Sequence, residues 1–168
     1  TALDLADGLA INNAVQLQGE VAIDVASGAS ATLGAGVSGD SSSTLVKRDG
    51  GTLTLVGGTA RGLTRVEDGT LRVTGNALNG GSIEIESAAT FAIDTTRVLT
   101  YAGQFSGEGT LRQGRHFLTL TGDSSAFNGT TVVGRPGAPV RKSRCQELRI
   151  HDEIGADPSP KLGGHGIG

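Results

Sequence analysis

Apolar and polar residues alternate along most of this chain with a period of two. Thr52-Leu53-Thr54-Leu55 is the cleanest stretch; Thr70-Leu71-Arg72-Val73, Ser82-Ile83-Glu84-Ile85-Glu86 and Glu20-Val21-Ala22-Ile23-Asp24-Val25 follow the same pattern. Side chains two apart share one face of a strand, so each stretch predicts a short strand with one apolar face. Turn chemistry separates them: Asn12-Asn13, Ser27-Gly28, Asp49-Gly50-Gly51, Glu67-Asp68-Gly69 and Asn79-Gly80-Gly81.

The strands repeat. Thr32, Thr52, Thr70, Thr90, Thr110 and Thr130 lie 20, 18, 20, 20 and 20 residues apart. Each is followed by Leu33, Leu53, Leu71, Phe91, Leu111 or Thr131, and two positions later by Ala35, Leu55, Val73, Ile93, Gln113 or Val133. Small residues precede them: Ala29 to Ala31, Gly50-Gly51, Gly69, Ala88-Ala89, Gly109 and Gly129. A fixed period near twenty is the mark of a solenoid, because one such unit cannot bury its apolar face alone. Leu33, Leu53, Leu71, Phe91 and Leu111 are expected to stack as one column, with a second beside it and Ile11 as a first member. The predicted fold is all-β: a right-handed parallel β-helix of about six coils, the hand following the usual preference of parallel crossovers. At the strand spacing of about 4.8 Å this makes a rod of roughly 30 Å. Gly34 to Ser43, small and polar throughout, is expected to be a loop leaving the solenoid.

Composition supports small-residue layers over a large aromatic core: of 168 residues 28 are Gly, aromatics are 3%, and there is no Trp or Met. The glycines carry no collagen period, and the alternation is too regular for a disordered Gly/Ser/Thr-rich chain. The net charge of −3 argues against nucleic acid as the main partner. It is uneven. Residues 1–133 hold 13 acids and 8 bases, and residues 134–168 hold 4 acids and 6 bases. The single cysteine, Cys145, lies in the second part, so the body has neither a disulfide framework nor a zinc–cysteine site. The chain begins mid-pattern at Thr1-Ala2-Leu3-Asp4 and has no stretch of roughly twenty apolar residues. It is expected to be a non-spanning piece of something longer.

A β-helix can carry polysaccharide-degrading chemistry, which needs clustered acids on one outer face. Glu84 and Glu86 share one strand face, Glu67 and Asp68 sit in a turn, and Asp94 follows a column residue. None recurs in a neighbouring coil at a spacing that builds a pair, so solvated surface charge is the expectation. Ser41-Ser42-Ser43 and Ser124-Ser125 have no nearby histidine and no nucleophile elbow. His116 reads as a turn or surface residue. His151-Asp152 and His165 lack metal-ligand spacing, Gly163-Gly164-His165-Gly166 lacks the lysine of a phosphate loop, and Arg61-Gly62-Leu63 reads as a turn. The sequence therefore assigns no catalytic, cofactor-binding or metal-ligating residue, and the expectation is a protein that is not an enzyme.

Two segments carry a resemblance. Leu45-Val46-Lys47-Arg48-Asp49-Gly50-Gly51-Thr52-Leu53-Thr54-Leu55-Val56-Gly57 resembles the passenger-associated repeat of bacterial autotransporters. Gly107-Glu108-Gly109-Thr110-Leu111, continued by Leu118-Thr119-Leu120-Thr121-Gly122-Asp123-Ser124-Ser125-Ala126-Phe127-Asn128-Gly129-Thr130-Thr131-Val132, resembles a second and stronger copy. In that family the lysine is often followed by a small residue and glycine; Arg48-Asp49 lengthens the turn here. The resemblance covers about residues 40–133, and 1–39 more loosely. It implies a pertactin-like β-helical passenger segment of a Gram-negative surface or secreted protein, near the membrane-proximal end where stable coils help folding after export. It brings no catalytic residue. It implies as partners the parent protein's own C-terminal membrane barrel and a host surface receptor or glycan.

The repeat stops after Val133, which sets the expected boundary between a β-helical segment, 1–133, and an irregular tail, 134–168. All four prolines lie in that tail. A disordered linker, a sequence from outside the original reading frame and a small functional cap all fit it. The charges in Arg135 to Arg149 can touch an anionic surface, although so short a run suits a solvated linker too. Two functional classes follow for the body: a stalk that holds a distal domain away from the cell and assists passenger folding, and an adhesin-type binding module acting through loops such as Gly34 to Ser43. A polysaccharide-degrading enzyme ranks third.

Overall fold

The computed structural model describes residues 1–60, 62–75, 78, 80–114, 116–134 and 141–142. No helix occurs among them; they form a parallel β-solenoid of about six coils. The first coil holds β1 (Ala2–Leu5), β2 (Ala10–Ile11) and β3 (Val15–Gln16), and the second β4 (Glu20–Val25), β5 (Ser30–Leu33) and β6 (Val37–Gly39). The third holds β7 (Thr44–Arg48), β8 (Thr52–Leu55) and β9 (Gly58–Ala60), and the fourth β10 (Leu63–Val66) and β11 (Gly69–Val73). The fifth holds β12 (Ser82–Ile85), β13 (Ala89–Ile93) and β14 (Leu99–Tyr101), and the sixth β15 (Gln104–Gly107), β16 (Thr110–Gln113) and β17 (Leu118–Leu120). β18 (Thr130–Val133) and β19 (Arg141–Lys142) stack on the sixth.

The strands form walls. The first runs β1-β4-β7-β10-β12-β15 and the second β2-β5-β8-β11-β13-β16-β18. The third is split into β3-β6-β9 and β14-β17-β19, because the fourth coil gives it no strand among the described residues. Every strand pairing is parallel, so each coil's amides and carbonyls bond to the coils on both sides; Leu17 N donates forward to Ser38 O at 2.7 Å. Thr70 N donates to Gly51 O at 3.0 Å, and Thr130 N to Gly109 O at 3.0 Å.

The interior is a set of columns. On the second wall Ala31, Leu53, Leu71, Phe91, Leu111 and Thr131 are register partners, and so are Ile11, Leu33, Leu55, Val73, Ile93, Gln113 and Val133. This corrects the sequence alignment at one coil. Ser30, not Thr32, pairs with Thr52, and Leu33 stands on Leu55 rather than Leu53. A slip of two residues keeps the same side chains inward, so hydrophobic pattern cannot detect it. Ile11 does stand on Leu33. Facing these columns, Phe105 packs against Phe91, Tyr101 and Phe127 at centroid distances of 6.0, 5.1 and 6.5 Å. The Tyr101 hydroxyl, buried with its ring, donates to Gly81 O at 2.8 Å.

The small residues before each threonine have a steric reason. A Cβ at Gly129 would overlap the carbonyl oxygen of Gly109, and one at Gly69 would overlap that of Gly51. Gly69 also has φ +68°, a conformation that costs L-residues free energy.

Gly34 to Ser43 is not an excursion. Val37–Gly39 is the third-wall strand of its coil, paired with β3 and β9, and Val37 is buried. Alternation fails to show this because Val37 is the one large apolar residue among glycines and serines. The tail expectation for 134–168 lies outside the described residues apart from Gly134 and β19.

Leu71 is fully buried between Leu53 and Phe91. Leu71→Asp places an unpaired carboxylate in that column, and the expected loss is about 4 kcal/mol or more. Thermal melting followed by circular dichroism checks this; an unchanged midpoint would contradict the stacked interior.

Candidate functional site

The outward acids of the strand faces and turns divide into two groups. Glu84, Glu67 and Asp94 each receive an arginine Nε from an earlier coil: Arg65 to Glu84 at 2.8 Å, Arg48 to Glu67 at 3.0 Å and Arg72 to Asp94 at 2.8 Å. The sequence spacings are 19, 19 and 22, close to one coil, which is why the partners meet. Hydrogen bonding to Glu84 raises the Arg65 pKa further. All six side chains are about a third to a half exposed, so each pair contributes about 0–1 kcal/mol. Glu86 and Asp68 are exposed, and Asp68 Oδ1 accepts its neighbour's Gly69 amide at 2.6 Å. Nowhere in this set do two carboxylates face each other for acid–base work. At the first coils Asp4 and Asp24 are register partners. Burial of Asp24, and then the charges of Asp4 and Asp49, push its carboxyl above the usual range, while Arg48 opposes them.

Lys47 precedes the Arg48-Asp49 turn and points inward. It lies in β7, in the inward column Ile23-Lys47-Val66-Ile85, and is fully buried. Its ammonium donates to Arg48 O and Asp49 O, both at 2.6 Å, and to Asp68 O at 3.3 Å. Asp49, at φ +63°, turns the chain so that the corner carbonyls face this ammonium. Burial holds Lys47 below its ordinary pKa of 10.5, against the pull of Asp49, Asp68 and Asp24. The lysine ties two successive corners together.

The serine runs are turn residues. Asp40 Oδ1 accepts from Ser42 N at 2.9 Å, Ser42 Oγ at 2.7 Å and Ser43 Oγ at 2.9 Å, and these bonds lower the Asp40 pKa. Ser125 N donates to Asp123 Oδ1, and Ser124 Oγ accepts from Phe105 N at 3.1 Å. Gly62 and Leu63 lead into β10, and Gly80 and Gly81 into β12, while Arg61 and Asn79 lie outside the described residues. Cys145, His151, Asp152, His165 and the glycines around it also lie outside them. A cavity with room for about one water sits inside the middle coils, lined by Val37, Leu55, Leu71, Ile83 and Phe91, with Thr64 its one polar side chain.

His116 is exposed, as expected of a turn residue. Its carbonyl accepts from Nε2 of buried Gln113, and one coil earlier the carbonyl of Arg97 accepts from Thr95 Oγ1 at 3.0 Å. Beside these carbonyls stand two exposed apolar residues, Val98 and Phe117. The sequence reading missed this corner. Its signal is two apolar pairs that break alternation 19 residues apart, Val98-Leu99 and Phe117-Leu118.

No protein-family model, curated protein or solved structure matches this chain.

Lys47→Met keeps the length of the side chain and removes the donors to three corner carbonyls. We expect it to destabilise the fold by about 2 kcal/mol at neutral pH. The wild type carries a further signature. A folded-state pKa below the unfolded one means that the unfolded chain binds more protons in the window up to 10.5, so Lys47 makes stability rise with pH there. Buried Tyr101 gives the opposite slope near its ordinary value of 10.0 in both proteins, so the check is the difference: in urea unfolding across that window the wild type should gain stability relative to Lys47→Met as pH rises.

Proposed function

We propose that the chain is a segment of an autotransporter passenger, a β-helical stalk displayed on or released from the surface of a Gram-negative bacterium. One observation carries the reading: the ladder and its interior columns run without a break of register through the first two walls. Each coil offers the next a row of carbonyls and an apolar surface. Once one coil is ordered, its neighbour folds on a ready template, and order spreads along the axis. Such a chain can leave a membrane pore unfolded and be drawn into structure as it emerges. The passenger-repeat resemblance of residues 45–57 and 107–132 falls on corners that do this stacking: Lys47 holds one, and Gly109 and Gly129 fit another.

The stalk reading makes the coils mechanical and asks of the outer face only solubility. The three cross-coil ion pairs fit that role. The binding-module alternative named Gly34 to Ser43 as an example of its loops; Val37–Gly39 within that segment is a wall strand.

A display experiment tests the proposal. Residues 1–134 are placed between an N-terminal epitope and an outer-membrane barrel translocator, and epitope exposure is measured on intact cells. We expect strong display, with a severalfold loss when coils five and six, residues 82–122, are deleted. An epitope that stays inside the cell, or display indifferent to the deletion, would overturn it.

A further inference from the structure

The corner after the second wall, in coils five and six, has no role in the stalk reading. Leu99 and Leu118 are register partners, and Leu99 N donates to Phe117 O at 2.9 Å. Val98 and Phe117 therefore stand side by side on adjacent coils. They are 67% and 44% exposed, the two most exposed large apolar side chains among the described residues. Their loops are fixed from inside. Thr95 and Gln113, both buried, donate to the carbonyls of Arg97 and His116. The apolar residues are thus held outward rather than free to fold back.

Apart from Asp94, the charged side chains described on these two loops are basic. Arg97, Arg112 and His116 are exposed. The ion pairs among the described residues use Arg48, Arg65 and Arg72, not these. Residues 95–107 and 109–122 contain no Asp or Glu, in a chain with 17 acids against 14 lysines and arginines. Nearby Asp94 is engaged by Arg72. β19 places the backbone of Arg141–Lys142 on the next coil of the same wall.

We propose that this corner docks on an anionic phospholipid surface. Val98 and Phe117 enter the interfacial layer, and the guanidinium groups of Arg97 and Arg112 face the phosphates. Protruding apolar side chains beside basic ones suit a bilayer, which accepts them without a matching pocket. The proposal does not depend on the stalk reading.

The test is flotation of the full 168-residue chain with vesicles of phosphatidylglycerol and phosphatidylcholine in equal parts, against phosphatidylcholine alone. Binding is expected to the mixed vesicles and to weaken with salt. Phe117→Ser should lower affinity about tenfold, and Arg97→Gln about fivefold. Both sites are exposed, so thermal melts of the variants should match the wild type. Absence of flotation, equal binding to neutral vesicles, or variants that bind like the wild type would overturn the proposal. So would Phe117-dependent binding of poly-glutamate without vesicle binding, which would assign the corner to an acidic protein segment. Binding lost only on removal of residues 135–168 would move the contact to the tail and also overturn it.

Discussion

Everything in this protein depends on one hydrogen-bond geometry, the amides of each coil donating to carbonyls of the adjacent coils, in register. Such ladders leave room for no more than a methyl group between the stacked corners. That is why Gly51, Gly69, Gly109 and Gly129 stand where they do, and why Ala89, the largest residue of that column, is buried. The ladder also fixes which side chains meet. Residues about twenty apart become neighbours at strand spacing, so the interior is built from columns of like residues. With few aromatics, the chain fills it with Leu, Ile, Val and a short aromatic run of Phe91, Tyr101, Phe105 and Phe127.

Charge obeys the same geometry. Arg48, Arg65 and Arg72 pair along the axis with acids about one coil on, which offsets charge crowding on those faces, while Asp4 and Asp24 stack as like charges at the first coils. Lys47 is the exception that points inward. Burying an ammonium is costly unless its donors are satisfied, and three corner carbonyls satisfy them. Those carbonyls belong to two successive coils, so the residue acts as a bolt between turns. It is also where the chain departs most from the simple apolar column, and where Asp49 takes a left-handed conformation.

A structure in which each coil touches mainly its neighbours is compatible with both parts of the proposed function. Local templating suits folding from one end. Rigidity along the axis suits a spacer, and it also holds the corner residues of successive coils in fixed relation. Val98 and Phe117 form one patch only because their coils are adjacent.

The sequence alone determined the fold class, the period and most of the inward residues, because alternation and a near-constant repeat are local and additive signals. Leu53, Leu71, Phe91 and Leu111 were legible as one column for that reason. The tertiary structure decided what depends on coil length. The second coil runs 22 residues from Ser30 to Thr52 and the third 18 from Thr52 to Thr70, and only the paired backbones reveal where the extra two residues are absorbed. It decided that Val37 completes a wall, since one valine among glycines and serines carries no alternation. It decided that Lys47 points inward, because a charged residue in a strand gives no sign that carbonyls await it across a corner. It joined Arg48 to Glu67 and Val98 to Phe117 for the same reason: contacts between coils are set by register, and register is a property of the stacked backbone rather than of any single strand.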